Sequence, residues 1–217
     1  MSTPAHAKNE PRWTRRKEAR PEEITAAALE LFVERGYANT RLEDVAALAG
    51  ISKGTLYLYF ANKEELFKAV VREALVARMA EFRGQIEQYQ GSTFDLLRLL
   101  VRGWWERIGS TRISGIPKLV LSEARNFPEI ARFYVDEVVR PGRKTIEAVI
   151  RRGIERGEFR EVDVESAAHL LVAPMLLISL WRNSLEPCSD EKIDPVALLE
   201  VHIETLSRGL AAHSRPA

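Results

Sequence analysis

Apolar residues in this chain recur at steps of three and four almost from end to end, and no stretch shows sustained strand alternation bounded by hairpin turns. A chain so patterned buries its apolar stripes helix against helix, so the expected fold is all-α with about nine helices. The first helix opens at Pro21, carries Glu22 and Glu23 in its first turn, places Ile24, Ala27, Ala28, Leu31 and Phe32 on one face, and stops at Gly36. Thr40-Arg41-Leu42-Glu43 reads as a capping box for a second helix ending near Gly50. A short third helix begins at Ser52 or Lys53 and runs to about Phe60. Asn62 caps a long fourth helix that reaches about Gly91. Further helices are expected over Thr93–Gly109, Ile113–Asn126, Pro128–Gly157 with an interruption or kink at Pro141-Gly142, Asp163 to about Ser184, and from Asp194-Pro195 to about Ala212.

The functional information concentrates between Leu42 and Tyr59, two helices around a tight turn in which Val45, Ala46, Ala49, Ile51, Leu56 and Tyr59 are spaced to share a small core. Ala46 must be small because the two helices cross over it, and Gly50 supplies the left-handed backbone that ends the first of them. This is helix-turn-helix spacing, in which the second helix enters the major groove and its N-terminal residues meet bases and phosphates. Lys53 opens that helix behind Ser52, Gly54 permits close backbone approach, and no acidic side chain occurs between Val45 and Lys63.

The run Ile51-Ser52-Lys53-Gly54-Thr55-Leu56-Tyr57-Leu58-Tyr59-Phe60, followed by Asn62-Lys63-Glu64-Glu65-Leu66-Phe67, resembles the DNA-binding signature of the TetR/AcrR family over about residues 21–67. The resemblance implies phosphate contacts at Thr40, Lys53, Tyr59 and Lys63 and base or groove-edge contacts at Thr55 and Tyr57. Arg41, Ser52 and Gly54 complete the expected DNA-binding set. The other reading of the tyrosines is a core aromatic stripe, and of the lysines a solvated surface.

Overall charge cannot carry the DNA argument. Net charge is +1, and the first 66 residues hold ten basic and ten acidic side chains. The local excess is Lys8–Arg20, where six basic residues face Glu10 and Glu18, an arm that either lies along phosphates or is a mobile tail. A single cysteine, Cys188, excludes an intramolecular disulfide. The first 20 residues have no apolar core of the kind a signal peptide needs. The near-apolar run Ala167–Trp181 contains His169, Pro174 and Ser179 and reads as a buried helix too short to span a membrane. A cytoplasmic protein with no membrane partner is the expectation.

Beyond residue 67 the expectations are architectural. Val196, Leu199, Ile203, Leu206 and Leu210 form a seam on the final helix, and with Leu171 and Met175 on the preceding one they are the expected homodimer interface, a four-helix arrangement. Two subunits give one small reading helix usable affinity for a palindromic operator of double-stranded DNA. Trp104, Trp105, Phe127, Phe133, Tyr134, His169, Met175 and Trp181 either line an effector pocket or simply pack the core; His169 either meets a partner within the protein or a polar atom of a ligand. Their apolar, aromatic character points to an apolar or aromatic small molecule as effector.

A phosphate loop, a nucleophile motif and metal-ligand spacing are all missing from the sequence. Gly50-Ile51-Ser52-Lys53-Gly54-Thr55 has the wrong spacing and no preceding strand, and His6, His169, His202 and His213 are not spaced as ligands. No enzyme, cofactor or metal is expected. The division is an arm over 1–20, a helix-turn-helix domain over 21–67, and a helical effector-binding and dimerisation domain over 68–217. The expected function is a repressor released from its operator by the effector. An activator of the same fold and a helical interaction module without specific DNA binding are the alternatives.

Overall fold

The computed structural model describes residues 21–212, so the basic arm lies outside the described residues. Among these, nine helices appear and no strand, only an isolated antiparallel bridge between Phe159 and Ala211. Helix α1 is Pro21–Arg35, α2 Leu42–Leu48 and α3 Lys53–Tyr59. Helix α4 spans 63–88 through a π-turn at Arg72–Val76, and α5 spans 93–109, ending in a π-turn at Trp105–Gly109. Helix α6 covers 112–123, α7 covers 128–155, α8 is Val164–Cys188, and α9 is Pro195–Leu210.

Local chemistry explains most boundaries. Gly36 at φ +84° ends α1, and Asn62 caps α4 by accepting from the Glu65 amide at 2.9 Å. Asp163 and Asp194 cap α8 and α9 in the same way. The capping box at Thr40 does not form. The N-cap of α2 is Arg41, with no side-chain bond, because the Thr40 hydroxyl turns inward to the carbonyls of Leu31 and Gly36, 3.1 and 2.7 Å away. Nor is α7 interrupted at Pro141: helical structure runs through, and a π-turn at Val135–Val139 lies just ahead of the residue that has no N–H to give.

The buried side chains form two clusters. One joins α1–α4 to α6 and the start of α7, through Phe32, Leu56, Phe67, Ile116 and Ile130; the other joins the far end of α4 to α5, α7, α8 and α9. Helix α4 enters both and so links them. Tyr59 is not part of the first cluster as its spacing suggested: it is 42% exposed, and Leu56 plugs the turn with Ile51 half-buried beside it.

Two expectations about α8 and α9 change. The α9 seam faces inward. Leu199, Ile203 and Leu210 are buried in the chain's own core, Leu206 packs against it, and Val196 is exposed; Leu171 and Met175 are buried as well. An apolar stripe seeks the nearest cover, and here its own domain supplies it. Helix α8 is longer than its apolar run suggested. Its 25 residues suffice in length and composition to cross a membrane. It packs against α7, α9 and α6 on one side while Leu170, Leu176 and Leu177 stand exposed on the other.

Candidate nucleic-acid interface and effector cavity

Helices α2 and α3 meet over Ala46 (2% exposed), with Val45 and Leu56 fully buried. The turn closes α2 by a paired motif: the Gly50 amide donates to the Ala47 carbonyl at 3.1 Å, and the Ile51 amide to that of Ala46 at 2.9 Å. This motif requires a left-handed residue at position 50, and Gly50 sits at φ +70°. The Ser52 hydroxyl accepts from the Thr55 amide at 3.0 Å and starts α3. The result is a short helix with Leu56 turned in and Lys53, Gly54, Tyr57 and Leu58 turned out.

Of the expected DNA-binding residues, Arg41, Ser52, Lys53, Gly54, Tyr57 and Tyr59 are exposed and Thr55 is half-buried, all around the outer surface of α3 and the start of α2. Lys53 makes an ion pair with Glu43, and its ammonium lies 5.8 Å from the centre of the Tyr57 ring. Hydrogen bonding to Lys53 holds the Glu43 carboxyl below its ordinary range, and the same bond holds the Lys53 ammonium above its own. The acid-free interval read between Val45 and Lys63 therefore does not isolate Lys53 from acids, because the fold brings Glu43 across from α2.

Two expected phosphate contacts are corrected. Thr40 is 1% exposed and its hydroxyl is engaged inside the protein, so its side chain cannot meet DNA in this conformation. Lys63 donates to the carbonyls of Tyr37, Ala38 and Thr40 at 2.7, 3.0 and 3.1 Å, and covers the Tyr37 ring at 4.6 Å. All three ammonium protons are used. Burial lowers its pKa, and it acts as the fastener of the α1–α2 turn. Sequence spacing placed these residues beside the reading helix but could not show that their polar atoms face carbonyls.

A cavity of about 260 Å³ lies between α4, α5, α7 and α8, and Pro117 of α6 also lines it. Leu75, Met79, Phe82, Leu100, Ile146 and Val172 give it an apolar wall. Gly142 keeps the α4–α7 seam narrow, since a Cβ there would stand 3.1 Å from the Met79 methyl. Trp104, Tyr134, His169 and Met175 line the cavity as expected of pocket residues; Trp105, Phe127, Phe133 and Trp181 do not. Phe127 packs edge-on to Tyr37 at 4.8 Å, Arg72 covers Phe133, and Arg182 covers Trp105. Burial pushes the Tyr134 hydroxyl pKa upward, so it stays a neutral donor. His169 is not the buried polar group expected: its side chain is 63% exposed at the rim, near Glu165.

What the sequence reading missed is arginine. Arg78, Arg83, Arg107 and Arg143 line the same cavity, and none of its described lining residues is acidic. Arg143 pairs with Glu147 and Glu165. The other three have no carboxylate partner among the described residues. Arg78 donates to the carbonyls of Glu73 and Ala74, Arg83 to the Thr145 hydroxyl at 3.2 Å, and Arg107 lies over the Phe82 ring at 5.0 Å. A second cleft of about 470 Å³, holding Arg140 and Lys144 with Glu87 and Asp136, adjoins the cavity at Arg83 and Thr145. In sequence these arginines sit among the ordinary charged positions of amphipathic helices, so nothing in their spacing marked them.

Comparison with known proteins gives two family matches, the model of bacterial regulatory proteins of the tetR family over residues 24–70 and that of the tetracyclin repressor-like C-terminal domain over residues 89–197. The chain is 25% identical over 198 residues to the fatty acid metabolism regulator protein of Bacillus subtilis, covering 89% of this chain and 98% of that one. It is 30% identical over 145 residues to the HTH-type transcriptional repressor KstR2 of Mycobacterium tuberculosis, covering 66% and 71%. The fold matches that of the Bacillus subtilis transcriptional regulator FadR in complex with stearoyl-CoA at a TM-score of 0.67 and 23% identity, covering 88% of this chain and all of that one.

Proposed function

The chain belongs to the tetR family of bacterial regulatory proteins and is a DNA-binding transcription regulator with a helix-turn-helix. On that premise we propose that it is a homodimeric repressor, held on a palindromic operator and released by an effector that joins an apolar body to an anionic group. The observation that carries the effector's chemistry is the cavity wall: apolar surface, four arginines and no carboxylate among its described lining. Arg78, Arg83 and Arg107 have no carboxylate partner among the described residues, and an anionic ligand group can supply one through charge-assisted hydrogen bonds. Relatives named for fatty acid metabolism, one of them holding stearoyl-CoA, support an acyl chain as the apolar part.

The division of labour follows the expected boundaries: residues 21–67 read DNA, and 68–217 bind effector and dimerise. Arg41, Ser52, Lys53, Gly54, Thr55, Tyr57 and Tyr59 are the proposed DNA-facing set. The dimer face is the outer stripe of α8 with its α9 neighbour, where Leu170, Leu177 and Val201 are 62%, 48% and 60% exposed. Two such helix pairs facing each other bury both stripes. The switch runs through α4. Leu75 and Met79 of that helix touch the cavity, whereas Leu66, Phe67 and Val70 lie in the core under α1–α3. An effector that favours a different α4 position changes the spacing of the two reading helices.

The test is a titration of the purified, ligand-free protein with stearoyl-CoA, stearate and octadecanol. Both anions should bind, and the alcohol at least tenfold more weakly. Equal binding of the alcohol would remove the anionic group from the proposal. Transcription from the operator with and without protein separates repressor from activator.

A further inference from the structure

Leu58 is 85% exposed, more than any other large apolar side chain among the described residues. A helix turns about 100° per residue, so Leu58 stands on the side of α3 opposite buried Leu56. Gly54, one turn earlier, lies on that same outer side. A Cβ added at Gly54 would meet only the Ser52 hydroxyl, at 3.8 Å, so the surface ahead of Leu58 is open. The outermost ridge of the reading helix is thus a bare backbone step followed by an isobutyl group, with Lys53 and Tyr57 at its flank.

A solitary exposed leucine elsewhere would need no explanation. Here the surface is the one that a helix-turn-helix presents to the major groove. Base edges there offer donors and acceptors at every pair, and a leucine pressed on them would strip water from polar atoms without replacing their hydrogen bonds. The one apolar group in the groove is the thymine C5-methyl. We propose that Leu58 is a specificity-determining residue that packs on a thymine methyl, so each half-site carries an A·T pair whose thymine faces α3. This rests on the regulator reading above and adds to it a base preference that polar residues alone do not supply.

The experiment starts from an operator selected by the unaltered protein. Each thymine of the half-site is replaced by deoxyuridine, one position at a time in both half-sites, and affinity is measured for the unaltered protein, Leu58→Ala and Lys53→Ala. At one position loss of the methyl should weaken the unaltered protein about fourfold per half-site, the worth of one buried methyl group. Leu58→Ala should show that loss on the natural operator and no further loss with deoxyuridine. Lys53→Ala should keep the deoxyuridine penalty while its salt slope falls by about 1 per subunit. If Leu58→Ala binds as tightly as the unaltered protein, or keeps the full penalty, the assignment is overturned. A protein that selects no operator removes the regulator reading and this inference with it.

Discussion

Lys53 and Lys63 are both basic residues of one signature, and the fold gives them opposite work. Lys53 is exposed and paired with Glu43 across a solvent-washed surface, so a DNA phosphate can displace Glu43 as the partner of its ammonium. Lys63 is enclosed by three carbonyls and an aromatic ring. Lys53→Ala should therefore leave the melting temperature unchanged and lower the slope of log affinity against log salt by about 1 per subunit. Lys63→Ala leaves three carbonyls without their donor, at a cost of about 1–3 kcal/mol, and should lower the melting temperature by several degrees with the salt slope intact in the protein that stays folded. Thermal melts beside binding at three salt concentrations check both; equal behaviour of the two variants would undo the distinction. The lysines, the glycine and the asparagine cap at Asn62 were legible in the sequence because type and spacing identify them. The partners of Thr40 and Lys63 were not: Thr40 turns back to carbonyls at the end of α1, and Lys63 reaches the α1–α2 turn more than 20 residues earlier in the chain, and neither direction is set by residue type or spacing.

At the scale of elements, α8 and α9 show how far periodicity reaches. Steps of three and four at Leu199, Ile203, Leu206 and Leu210 identify a buried stripe without saying what buries it. The structure turns that stripe inward and leaves Leu170, Leu177 and Val201 outside. Leu206→Asp is thus a core substitution, expected to destabilise each subunit by placing a charge against apolar packing. Leu177→Asp tests the proposed dimer face: the subunit should stay folded by circular dichroism and run as a monomer by light scattering, with operator affinity lost. A folded dimer from Leu177→Asp would move the interface to another face. The same limit hid the cavity. Its arginines come from three helices, and they become a set only when α4, α5 and α7 pack side by side.

At the scale of the whole molecule, α4 joins the core beneath the reading helices to the cavity wall, and the proposed switch requires operator and effector to act on one conformational equilibrium. Linkage makes that coupling reciprocal. If effector lowers operator affinity by about 5- to 150-fold, saturating operator must lower effector affinity by the same factor, which paired titrations can measure. Unequal factors would mean that a second process intervenes, such as dissociation of the dimer. The all-α class, the order of the helices, most of their ends and the helix-turn-helix follow from local rules: cap chemistry, glycine conformation, and apolar steps that match one helical turn. Tertiary packing alone decided which side of each apolar stripe meets the chain's own core, which polar groups face carbonyls and which face solvent, and that four arginines share one cavity. Those outcomes depend on contacts between segments far apart in the chain, and no local pattern specifies the partner across such a distance.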